Sequence, residues 1–103
     1  MNVHIHPSAE VSETARLNYG AWVYEGAVVC EGTVIGEGVR VYADAYLCAG
    51  AFVGAGAQVG EGTVIGNGAV IGNGTVIGNG MIVAAEAVIP CPEFIEALTF
   101  HLS

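Results

Sequence analysis

Every sixth residue from Ile5 to Ile89 is aliphatic. The column runs Ile5, Val11, Leu17, Val23, Val29 and on to Val83 and Ile89 without a gap. A fixed period of six over most of a chain restricts it to a stacked coil of short strands, because each unit repeats one local structure. The residue two places before each aliphatic is small or modest, as in Ala21, Ala27, Thr33, Val39, Ala45 and Ala51. Residues two apart in a strand share a face, so each unit sends a small and then a large residue to one side. Glycine usually precedes this pair and suits a corner with positive φ. Each hexad therefore reads as one strand and one tight corner.

Three strands close a triangle, so eighteen residues make a coil and the column makes about five coils. At a spacing of ~4.8 Å the prism is roughly 24 Å tall, with a parallel sheet on each side. The Asn-Gly pairs at 67–68, 73–74 and 79–80 would each suggest a hairpin in isolation. Their strict six-residue interval fits corners instead. Pro90 and Pro92 are expected to end the ladder, and residues 93–102 then read as a short C-terminal capping helix with Phe94, Ile95, Leu98 and Leu102 on one side. The whole of 1–103 is expected to be one domain.

The units Val59-Gly-Glu-Gly-Thr-Val, Ile65-Gly-Asn-Gly-Ala-Val, Ile71-Gly-Asn-Gly-Thr-Val and Ile77-Gly-Asn-Gly-Met-Ile resemble the hexapeptide repeat of bacterial acyltransferases. The opening Ile5-His6-Pro7-Ser8-Ala9-Glu10-Val11 is similar to the first coil of many of them. The resemblance covers 5–91 and implies an all-β, left-handed parallel β-helix. The left hand comes from the resemblance alone and runs against the usual crossover rule.

Sorting the residue before each aliphatic by eighteen gives three outward faces. The first carries His4, Trp22, Arg40, Gln58, Val76 and Phe94. The second carries Glu10 and then Val28, Tyr46, Val64 and Ile82. The third carries Arg16 and then Val34, Phe52, Val70 and Val88. Two apolar faces exceed what a soluble monomer usually exposes, so these eight apolar residues are expected to be an interface between copies. The resemblance implies a homotrimer around a threefold axis; a dimer is compatible with the same faces. On the first face, Trp22, Tyr24, Arg40 and Tyr42 form a polar-aromatic patch, read either as a ligand-stacking platform or as ordinary cross-strand pairing.

The resemblance further implies acetyl transfer from acetyl-CoA, as co-substrate rather than bound cofactor, to a hydroxyl or amine of a small-molecule acceptor in an intersubunit cleft. A histidine acts as general base in the resembling enzymes. This chain has His4, His6 and His101 only, with no loop interrupting the hexads. His101 is the remaining candidate base. The alternative is a non-catalytic trimeric scaffold or binding module.

Composition closes off several classes. Ten acidic residues against two arginines and no lysine give a net charge of −8, a poor surface for nucleic acid or anionic membrane. Glu13, Glu25, Glu31, Glu37 and Glu61 share one corner position and read as a solvated rim. No metal site is expected, since no histidine joins these acids. No run of apolar residues reaches a membrane span, no leader pattern is visible, and the cytoplasm is the expected setting. Cys30 and Cys48, one coil apart, are expected to be free thiols there.

Overall fold

In the computed structural model, the described residues are 3–89 together with the strands Phe94–Ile95 and Thr99–Phe100. They form a parallel β-solenoid of about five turns, built from seventeen two-residue strands. Strands β1 (His4–Ile5) to β15 (Val88–Ile89) recur every six residues, each ending on a member of the aliphatic column. Strand n pairs with strand n+3. Face 1 is therefore β1-β4-β7-β10-β13-β16, face 2 holds β2, β5, β8, β11, β14 and β17, and face 3 holds β3, β6, β9, β12 and β15. The register is eighteen residues, as in Trp22↔Arg40 and Val34↔Phe52.

The interior is the two inward columns. Val23, Ile35, Leu47, Val53, Ile65 and Ile71 are buried, with Ala21, Ala27, Ala45 and Ala57 filling the space between them. The first coil differs: Ile5 is 45% exposed, and Val11 and Leu17 are half-buried. Thr33, Thr63 and Thr75 also point inward. The Thr63 hydroxyl donates to the Gly78 carbonyl (2.8 Å) and the Thr33 hydroxyl to that of Cys48 (3.1 Å). The Thr75 hydroxyl has no partner among the described residues.

Ten corners use glycine at positive φ; Asp44 (φ 61°) and Glu86 (φ 64°) hold the same conformation without it. The first-coil corners solve the problem differently. Ser8 and Thr14 stand where later corners carry glycine, and their side-chain oxygens accept from the backbone of Gly26 (3.0 Å) and Gly32 (3.1 Å). Later corners use backbone carbonyls for this, as in Gly38 N–H to Tyr19 O (3.0 Å).

The capping helix expected over 93–102 is not what the described part of that segment forms. Phe94–Ile95 (β16) extends face 1 beside Val76–Ile77, and Thr99–Phe100 (β17) extends face 2 beside Ile82–Val83. Ile95 lies six residues after Ile89 and continues the aliphatic column, so the ladder has a register to follow. The next pairing then slips to seventeen residues, Ile82↔Thr99. Pro90, Cys91 and Pro92 lie outside the described residues.

Candidate functional site

The outward side chains separate into an aromatic strip, two apolar faces and a thiol groove. On face 1, β1, β4 and β7 place His4, Trp22 and Arg40 in register, and the first corner position beyond each strand adds His6, Tyr24 and Tyr42. His4 stacks on Trp22 at 4.1 Å between ring centroids, Trp22 on Tyr24 at 6.0 Å, and Tyr24 lies tilted against Tyr42 at 5.0 Å. The four residues expected to form a patch, Trp22, Tyr24, Arg40 and Tyr42, do share this surface. Trp22 and Arg40 are exposed and the two tyrosines half-buried. Gln58 follows Arg40 in register, and its Oε1 lies 3.4 Å from the Tyr42 hydroxyl that faces it. The eighteen-residue column contained Gln58, but its contact with Tyr42 depends on side-chain reach.

His6 is engaged in the corner. Its Nδ1 accepts from the Ser8 amide (3.0 Å) and lies 2.8 Å from the Ser8 hydroxyl, while Nε2 is 4.0 Å from Glu25. This makes it a corner-holding group.

Faces 2 and 3 carry their apolar residues in straight rows, because in-register parallel pairing stacks like on like. Tyr46, Phe52, Val64, Val70, Ile82 and Val88 are exposed, Val88 to 53%; Val28 and Val34 are half-buried. Beside face 2, a groove of about 480 Å³ is lined by Ser12, Cys30, Tyr46, Cys48 and Asn67. Both thiols are free. Hydrogen bonding to Cys30, and secondarily the charges Cys30 and Cys48 can carry, raise the Tyr46 phenol above its ordinary value. Burial, and then Cys30, raise the Cys48 thiol. Both shifts favour the neutral forms, so Tyr46 and Cys48 stay protonated at neutral pH.

No group of three or more metal-binding side chains occurs among the described residues. No helix among them is long and apolar enough to cross a membrane. His101, the candidate base, lies outside the described residues.

These observations define a parallel β-solenoid of hexapeptide repeats with two apolar flanks and one aromatic face. Residues 44–79 match the family model described as bacterial transferase hexapeptide (six repeats). Over that segment the chain is similar to the hexapeptide repeats of bacterial transferases, and its parallel β-solenoid accords with that likeness. No match is found among curated proteins. Among solved structures, PerB from Caulobacter crescentus, in complex with CoA and GDP-perosamine, is similar at 28% identity and a TM-score of 0.76, over 94% of this chain and 52% of that one. The acetyltransferase domain of PglB from Neisseria gonorrhoeae is similar at 28% identity and a TM-score of 0.57, over 97% of this chain and 51% of the other. UDP-N-acetylglucosamine acyltransferase from Campylobacter jejuni shares the fold, with a TM-score of 0.77 at 22% identity, over 84% of this chain and 40% of that one. The chain thus spans about half the length of these structures or less.

Proposed function

We propose that the chain assembles as a homotrimer and transfers an acetyl group from acetyl-CoA to a hydroxyl or amine of a small acceptor in the clefts between subunits. The carrying observation is the pair of adjacent apolar faces, where Tyr46, Phe52, Val64, Ile82 and Val88 stand exposed in aligned rows. Closing three prisms about a common axis buries such a pair on every copy and creates three equivalent clefts. The likeness to PerB, whose structure holds CoA, supports the choice of acyl donor.

In this reading His101 takes the acceptor proton as the acceptor attacks the thioester carbonyl. The tetrahedral intermediate then expels the thiol of CoA, which leaves with that proton. A non-catalytic trimeric scaffold is the second reading. It is favoured by the absence of any histidine between Pro7 and Phe100 and by hexads that run from Ile5 to Ile89 without an inserted loop.

Light scattering at micromolar concentration should give three times the 10.5 kDa chain mass. A monomer would refute the interface. Calorimetry with millimolar acetyl-CoA should give saturable heat; a trimer that gives neither heat nor thermal shift is the scaffold. His101→Gln should abolish turnover while leaving the trimer intact, and full activity in that variant would remove His101 from the mechanism.

A further inference from the structure

Face 1 carries three shallow depressions that run into one another along the prism axis. The first, about 500 Å³, lies over His4, His6, Trp22 and Tyr24. The second, about 350 Å³, is bordered by Tyr24, Tyr42, Glu61 and Asn79. The third, about 340 Å³, lies between Tyr42, Gln58, Gly60 and Asn79. Tyr24 is shared by the first two, and Tyr42 with Asn79 by the last two. The result is one groove that begins at β1 and ends at β13 (Val76–Ile77), four coil steps away. At the usual strand spacing this is about 19 Å. It is long and narrow rather than deep, which suits a linear ligand better than a compact one.

The floor and the edges of the groove differ in chemistry. The floor is a run of rings, with Trp22 39% exposed and stacked between its neighbours rather than buried by them. Rings held in place by one another offer apolar contact at little entropic cost. The edges offer directional groups: the Gln58 amide, the Tyr42 hydroxyl and the Asn79 amide nitrogen, the Asn79 oxygen accepting from the Glu61 amide (2.8 Å), with Arg40 in register between Trp22 and Gln58. Together they supply both donors and acceptors. Beyond Tyr42 the same column continues as Gly60 and Gly78, so the ring floor steps down to backbone where the amides begin.

Charge narrows the ligand class. With a net charge of −8, and with Glu25, Asp44 and Glu61 in the corners beside the rings, a phosphate-bearing ligand meets an adverse field. Arg40, in register with Trp22 and without an ion-pair partner among the described residues, opposes a cation at the ring floor itself. The class that remains is neutral, extended and edged with hydroxyls, with flat apolar surfaces at intervals. That is an oligosaccharide.

We infer that face 1 is a carbohydrate-binding strip that takes a neutral oligosaccharide lengthwise, packing sugar rings against the exposed parts of Trp22, Tyr24 and Tyr42 and holding their hydroxyls with Arg40, Gln58 and Asn79. The strip lies on the face that the proposed trimer leaves free, and it does not depend on acyl transfer.

Trp22 is the sole tryptophan of the chain, so its emission reports on this surface alone. The full chain is titrated with cellohexaose, chitohexaose and maltohexaose, and with AMP as an aromatic anion. At least one hexasaccharide should give a saturable change at millimolar concentration or below, and AMP should give none. Tyr42→Ala should weaken that binding by about five- to tenfold. Gln58→Ala, which leaves the ring floor intact, should weaken it by a few-fold and decides the matter if Tyr42→Ala does not fold. Absence of saturable binding with all three sugars overturns the inference. So does tighter binding of AMP, or affinity unchanged in both variants.

Discussion

The two halves of the solenoid share a repeat but not a corner. In the N-terminal half, the residue after each aliphatic usually carries a side chain: His6, Ser12, Asn18, Tyr24, Cys30, Tyr42 and Cys48, with Gly36 the exception. From residue 54 to residue 78 the same position is Gly54, Gly60, Gly66, Gly72 and Gly78. A Cβ on Gly60 would stand 2.4 Å from the Gly78 carbonyl oxygen, and one on Gly66 would stand 2.4 Å from the Ala85 nitrogen. Backbone therefore fills, in the C-terminal half, the space that side chains occupy in the N-terminal half. One half is spaced to display rings and thiols, and the other is closed down to scaffold. The aromatic strip and the thiol groove lie mainly where the corners are open.

The largest test of this contrast is Val53→Asp at the junction of the halves. Val53 is wholly buried, and an unpaired carboxylate there should abolish folding, read as loss of β-type circular dichroism and of solubility. A soluble, half-folded product would show that the halves stand alone. Next is Gly60→Ala, which should cost about 1–3 kcal/mol through overpacking against the Gly78 carbonyl, measured by denaturant unfolding. Tyr42→Ala, one coil earlier in the same column, should cost clearly less. Equal costs would erase the distinction between open and closed corners.

Two substitutions should stabilise the C-terminal half. Thr75→Val removes a buried hydroxyl without a partner and should gain about 1–2 kcal/mol. Glu86→Gly relieves a non-glycine residue at φ 64°. It should gain about 0.5–1 kcal/mol once the greater unfolded-state freedom of glycine is set against the strain.

The smallest effect is a pH dependence in the N-terminal half. Burial and Cys30 raise the Cys48 thiol in the folded chain above its ordinary value of 9.0. The folded state then holds its proton longer than the unfolded state. Its contribution is fully present below the ordinary thiol pKa and is lost as pH rises through the raised one. Thermal unfolding followed from neutral to alkaline pH should show a steeper loss in the native chain than in Cys48→Ser.

The six-residue column disclosed most of the fold because both inward positions and all three outward faces follow from its phase. It did not disclose the ends. Ile95 continues the column, yet two nearby prolines outweighed it and suggested a helix over a segment that contains β16 and β17. The slip to seventeen residues at Thr99–Phe100 breaks the period that made everything else readable. Nor did the pattern mark Asp44 and Glu86 as left-handed corners, since both look like ordinary solvated acids in a list. The aromatic strip was visible as neighbouring columns, because Trp22, Tyr24, Arg40 and Tyr42 share a phase. Its continuation through Asn79 and Glu61 was not, since those residues sit in corner positions whose direction depends on the turn.

The pairing register carries a further consequence. Each strand among β1–β15 meets only the strands one coil before and one coil after it, so the chain behaves as a linear array with nearest-neighbour coupling. In such an array length is a free variable. Duplicating the eighteen residues 55–72 would insert one more coil, lengthen the prism by about 4.8 Å and leave every other pairing as it was. The molecule is in that sense a ruler graduated in coils, and any site drawn along one face can be extended by adding graduations.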